Sequence, residues 1–172
     1  MKAEDVMKEL KKLEDINQAK LLQGFFKTGK GEYGEGDIFL GIKVPEQRKV
    51  AKKFKDLELK EIQKLLDSKI HEHRLTALFI LVYKYEKEEN KKEIFDFYLK
   101  NTKNINNWDL IDLSAPKIVG DYLLDKKRDV LYKLAKSNSL WEKRIAILAT
   151  FMFIYNGEYK DTLNVSEILV ND

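Results

Sequence analysis

The chain contains no cysteine, which excludes a disulfide framework and thiolate catalysis. It has only two histidines, His71 and His73, and these sit two residues apart. At that spacing they diverge around a helix, so without a cysteine cluster they make no zinc site. Long apolar runs are missing as well. "LTALFILVY" (75–83) is far too short to cross a membrane, and no uncharged apolar stretch follows the start to serve as a secretory leader. The expected location is therefore the cytoplasm. A large excess of one charge is also absent: 35% of residues are charged, yet the formal net charge is only +3. That balance does not by itself point to a polyanion, so the distribution of charge carries the information.

What is present is helix-forming sequence. The 172 residues, 44% of them apolar, suit a single domain spanning 1–172 with a substantial core. Only two prolines occur, and five of the eight glycines fall between Gly29 and Gly41, so the rest of the chain is almost free of helix breakers. Val6, Leu10 and Leu13 recur at helical spacing in the first segment, and "NQAKLLQGFFKT" continues as a second helix. After the glycine-rich loop, Pro45 sits near the first turn of a helix through "KVPEQRKVAKKF". Further helices are expected over about 58–66, 71–85, 89–100, 107–121, 127–136, 140–155 and 158–170, with no sheet. In "SLWE" (139–142), a capping box would set Ser139 and Glu142 in reciprocal bonds.

Short alternating helices indicate stacked hairpins. A faint internal echo supports this: shifted by seventy residues, "DSKIHEHRLTALFIL" matches "KSNSLWEKRIAILATF", pairing Glu72 with Glu142 and Arg74 with Arg144. His71 falls on Trp141 in the same register, which gives it a packing or capping role. The expected fold is an all-α, HEAT-like superhelix of antiparallel helical hairpins.

Charge collects in segments. Residues 43–55 carry Lys43, Arg48, Lys49, Lys52, Lys53 and Lys55 against Glu46 alone. Residues 126–144 carry seven basic residues, among them Arg128, Lys136, Lys143 and Arg144, against Asp129 and Glu142. Residues 156–172 are acidic. The basic segments fit either a phosphate-binding track or an ordinary solvated helix face. The glycine loop "GKGEYGEGDIFLG" lacks the GK[ST] ending of a phosphate loop, and no strand precedes it to make a dinucleotide fingerprint. Tyr33, within it, and Lys43, just after it, are candidate contacts to a phosphate backbone.

"NNWDLID" (106–112) places Trp108 and Asp112 four apart, on one edge of a helix. Asn106 or Asn107 can cap its start, Leu110, Ile111, Leu113 and Ala115 supply the core side, and Asp109 lies nearer a cap or the solvent. An indole face attracts a cation, and a carboxylate stabilises positive charge or orients a water. Arg144 adds a guanidinium suited to phosphate. The same residues also fit a core tryptophan beside a structural Asp112–Arg144 ion pair.

Three ordered pieces, "YGEGDIFLGIKVPEQRKVAK" (33–52), "NNWDLIDLSAPKIVGDYL" (106–123) and "SNSLWEKRIAILATF" (137–151), resemble the DNA alkylation repair enzymes built from HEAT-like repeats, the alkylpurine DNA glycosylases. The resemblance covers nearly the whole chain. It implies a helical array curved around double-stranded DNA that needs no metal or cofactor. It also implies cleavage of the N-glycosidic bond of cationic purines such as N3-methyladenine and N7-methylguanine. The implied catalytic residues are Trp108, Asp112 and Arg144. The implied DNA-binding residues are Lys43, Arg48, Lys49, Lys52, Lys136, Lys143, Trp141 and Tyr33, with Trp141 as packing or cleft wall.

The sequence departs from that family in one respect. Members are usually longer and bring a further cleft tryptophan from a repeat beyond the point where "SEILVND" ends. A chain lacking terminal repeats is expected to have a more open cleft and to be able to self-associate through its exposed last repeat. Two other readings fit the sequence: a HEAT-like module that grips DNA without chemistry, and a helical scaffold for protein partners.

Overall fold

The computed structural model describes residues 1–87 and 90–172. The fold is all-α, built of helical hairpins packed on one another, and it divides into two compact units, Met1–Lys87 and Glu88–Asp172. No helix among the described residues is long and apolar enough to cross a membrane.

In the first unit, α1 (Ala3–Lys11), α3 (Val44–Lys53) and α4 (Leu59–Leu66) pack around α5 (His71–Tyr85). Thirteen of the fifteen residues of α5 are buried, so this helix is enclosed around its whole circumference. Each fully buried Leu or Ile on it contributes about 1.5–3 kcal/mol. The first turn of α5 is also buried, although it carries His71, Glu72, His73 and Arg74. Buried charge persists only where it is bonded, and here it ties down the long connection from α2 (Ile16–Phe25) to α3. The Glu72 carboxylate accepts the backbone N–H groups of Leu40 (2.9 Å), Gly41 (2.8 Å) and Ile42 (3.2 Å). Asp37 accepts from Arg74 Nη2 at 2.7 Å and lies 3.0 Å from His71 Nδ1. Burial pushes the Asp37 carboxyl up, but His71 and Arg74 more than offset this and hold it below the usual carboxylate range. The His71 ring stacks on Phe39 with centroids 4.6 Å apart. Gly41, at φ +85°, comes so close to the first turn of α2 that a Cβ would sit 2.1 Å from the Asp15 carbonyl.

The second unit runs α6 (Lys91–Lys100), a 3₁₀ turn (Thr102–Asn104), α7 (Trp108–Asp112), a π turn (Pro116–Gly120), α8 (Asp129–Ala135), α9 (Leu140–Ala149), α10 (Phe151–Tyr155) and α11 (Lys160–Leu169). The helix expected over 89–100 is seen as α6, and its first expected residue lies outside the described ones. Two expected helices are broken. The 107–121 helix opens into a π turn at Pro116, where the ring removes an N–H donor and disturbs the regular ladder. The 140–155 helix bends at Thr150, whose hydroxyl donates to the Ile147 carbonyl at 2.7 Å. Arg128 fastens α11: its Nη1 reaches Asp161 and Glu158, each at 2.7 Å, while its guanidinium covers the Phe153 ring.

Candidate functional site

The segment "NNWDLID" forms a single short helix with both faces defined. Asn107 Oδ1 accepts the Trp108 N–H at 2.8 Å and sets the start of α7. Leu110 and Ile111 are wholly buried, and Ser114, one turn on, bonds the buried Tyr98 hydroxyl at 2.9 Å. Burial holds that phenol well above its ordinary pKa. Of the two places expected for Asp109, a cap or the solvent, the structure gives the first: it is buried, and it accepts the first-turn Leu110 N–H at 2.9 Å. The opposite edge of α7 carries Trp108 and Asp112, both half-buried.

Arg144 comes to this edge from the second turn of α9. Its Nε reaches Asp112 Oδ1 at 2.7 Å and its Nη2 reaches Oδ2 at 2.8 Å, a bidentate pair. The carboxylate raises the arginine's pKa further. Both side chains remain partly open, 37% exposed for Arg144 and 30% for Asp112. The helix start that presents Arg144 is set as half of a capping box: Ser139 Oγ accepts the Glu142 N–H at 3.4 Å. The reciprocal bond is replaced by a longer-range one, in which Thr102 Oγ1 donates to Glu142 Oε1 at 2.8 Å.

The internal echo now has a physical counterpart. In each unit a helix begins with a glutamate that binds an earlier segment, Glu72 on the Leu40–Ile42 amides and Glu142 on Thr102. Two residues later an arginine grips an earlier aspartate, Arg74 on Asp37 and Arg144 on Asp112. The first pair is closed, with each side chain 5% exposed. The second is several times more open, so a ligand can reach it.

The candidate DNA contacts fall into two groups. Lys43, Lys52 and Lys136 are exposed and make no ion pair among the described residues. The others also interact with protein: Lys49 pairs with Glu46 at 2.7 Å, Lys143 pairs with Asp172, and the Arg48 guanidinium lies 4.1 Å over the Phe79 ring. Trp141 is half-buried on α9, and Tyr33 is exposed in the glycine loop. Charge counted along the chain therefore overstates what residues 126–144 present. Lys126, Arg128, Lys143 and Arg144 are matched by acidic side chains, which leaves Lys127, Lys133 and Lys136 as the outward cations. Sequence reasoning missed the grip of Glu72 on three amides, because its partners lie some thirty residues away in a loop with no periodic pattern.

An all-α array of helical hairpins packed on one another has the architecture of helical-repeat proteins. Within that class, the chain belongs to the DNA alkylation repair enzyme family, whose model matches residues 6–172. A comparison with curated proteins found no match.

Proposed function

We propose that this protein is a DNA glycosylase that hydrolyses the N-glycosidic bond of cationic alkylated purines in double-stranded DNA. The observation that carries the reading is the Asp112 carboxylate, fixed by two bonds from Arg144 and still partly open, one helical turn from Trp108. An N3- or N7-alkylated purine already carries positive charge, so it leaves with the bonding electron pair and no strong acid is needed. The deoxyribose left behind has oxocarbenium character. Asp112 stabilises that charge and orients the water that attacks C1′ and then loses a proton. Arg144 occupies one lone pair on each Asp112 oxygen, which leaves acceptor capacity on both. Its Nη1 makes no bond to the protein among the described residues and can meet a phosphate beside the lesion. Trp108 lines the same edge, where its ring face attracts the cationic nucleotide. Neither metal nor cofactor enters this scheme.

The test is release of free methylated base from alkylated duplex DNA under single-turnover conditions. Asp112→Asn is expected to lower the rate by ~10²-fold or more. Arg144→Lys, which keeps the charge but loses the planar fork, is expected to fall between it and the native chain.

A second reading, a module that binds DNA without cleaving it, is favoured by one observation: both Asp112 oxygens are already bonded, as in a structural ion pair. Salt-sensitive duplex binding by the native chain with no base release would establish that reading instead.

A further inference from the structure

The glycine loop has no part in the scheme above, yet it is the most heavily anchored irregular segment of the first unit. Eighteen residues separate α2 from α3. Loops of more than about 12–15 residues are uncommon in compact domains and are usually functional. The base of this one is fixed from three directions: Glu72 on the Leu40–Ile42 amides, Arg74 and His71 on Asp37, and a backbone bridge in which Ile38 N–H donates to Lys69 O and His71 N–H to Ile38 O.

Above that base stands a small crown. Gly34 N–H donates to Lys27 O at 3.1 Å and closes it. A Cβ on Gly34 would sit 2.4 Å from the Phe26 carbonyl, so the closure requires glycine there. Lys27 takes φ +49°, a left-handed conformation that lysine adopts at a cost.

The crown displays cations and aromatic rings together. Phe25 is 64% exposed and Tyr33 37%. Lys27 and Lys30 are exposed and have no acidic partner among the described residues. The crown's own glutamates are exposed but bonded within it: Glu32 accepts the Gly29 N–H and Glu35 the Gly31 N–H, each at 2.8 Å, which spends part of their acceptor capacity on the loop backbone. Lysines left outward beside exposed rings complement a phosphate backbone with apolar sugar between its charges.

The geometry points to this crown as a second DNA-contact surface, with Lys27 and Lys30 on phosphates and Phe25 against the sugars of the groove. The inference rests on the reading of duplex DNA as partner. It does not depend on glycosylase chemistry. Because the loop base is held by buried bonds, the crown meets DNA already ordered, and binding loses little loop entropy.

The test is fluorescence anisotropy with an undamaged duplex across a salt series. Lys27→Gly suits the left-handed backbone and Lys30 is exposed, so the Lys27→Gly/Lys30→Gln variant keeps its fold, with thermal unfolding as the check. It is expected to lower the slope of log affinity against log salt by about 1.8, or ~0.9 per phosphate released. Phe25→Ala is expected to weaken binding roughly fivefold or more at every salt concentration with the slope unchanged. A folded double variant with native slope and affinity overturns the proposal. So does a native slope near zero, or loss of polyglutamate binding with duplex binding intact, which would assign the crown to an acidic peptide. Failure of the glycosylase reading looks different: the native chain would release no base while the slope difference between native and variant persists.

Discussion

Asp37 and Asp112 are each gripped by an arginine from the start of a helix, and their surroundings separate the two roles. Asp37 is closed off from solvent beside His71, whose ring stacks on Phe39, so its pair can only hold structure. Asp112 shares a half-open edge with Trp108, where the same chemistry can act on a ligand. Breaking a buried pair by removing one partner costs about 3–5 kcal/mol, whereas a partly exposed pair contributes about 1 kcal/mol or less. Arg74→Ala is therefore expected to lower the unfolding temperature strongly, while Arg144→Ala leaves it nearly unchanged and shows its effect in base release. His73 supplies a separate prediction at this scale. Burial, aided by the Arg74 charge, lowers its pKa from 6.5 to about 4, and its Nδ1 lies 2.9 Å from Ser68 Oγ. Between those two values the unfolded chain takes up a proton that the folded chain does not. Stability is complete above pH 6.5, falls as pH drops towards 4, and levels off below, with a ceiling of about 3 kcal/mol. Urea midpoints measured from pH 7 to pH 4.5 check this, and His73→Gln is expected to flatten the slope in that window.

At the scale of elements, the most consequential contacts are those where one group replaces a regular hydrogen-bond ladder. Glu72→Ala removes the acceptor for three buried N–H groups, at about 1–3 kcal/mol for each donor left unsatisfied. Large destabilisation is expected, with hydrogen exchange rising first at Leu40, Gly41 and Ile42. The π turn makes a comparable demand in the second unit. A Cβ on Gly120 would sit 2.3 Å from the Ala149 carbonyl and 2.9 Å from Met152 Cβ. Gly120→Ala must therefore force the turn away from the end of α9, with an expected loss of about 1–3 kcal/mol by thermal unfolding. These elements also show what was legible in the sequence. Periodicity located α5 and α7, and of the four expected core positions Leu110, Ile111 and Ala115 proved to be core while Leu113 is half-buried. It did not show the breaks at Pro116 and Thr150, where a missing N–H and a side-chain hydroxyl alter the ladder without changing the apolar pattern. The capping box at Ser139 was half legible, because Glu142 had a long-range partner in Thr102. The Asp112–Arg144 contact, thirty-two residues apart, was legible only as one of two readings, since a sequence states which groups exist and not which of them meet.

For the whole molecule, the distribution of exposed apolar side chains is uneven. Among the described residues, every large exposed one lies at or before Val44 or at or after Leu140, and those between are buried or half-buried. The exposed ones divide equally between the two ends, and the C-terminal set includes the most exposed of all, Tyr155 at 86%, with Leu163 at 68%. Replacing both with lysine is expected to shift stability by less than about 0.5 kcal/mol, because neither is in the core. The same change is expected to reduce binding of a hydrophobic dye, read by fluorescence. The acidic tail, in turn, is not a free counterweight to the basic segments. Asp161 and Glu158 are engaged by Arg128, and Asp172 by Lys143. Long-range steering of a polyanion therefore falls to the unpaired lysines; on the proposed reading of duplex DNA as partner, association is expected to slow steeply as salt rises, as stopped-flow rates across a salt series would show.

The hold of Glu72 on the loop has one further implication. Main-chain amides are alike in nearly every residue, so a carboxylate that grasps only these is indifferent to what the neighbouring side chains are. Leu40 and Ile42 are free to be exchanged for other apolar residues of similar bulk, and only Gly41 between them is irreplaceable. A fastening of this kind lets the loop it secures diversify in composition while staying in place.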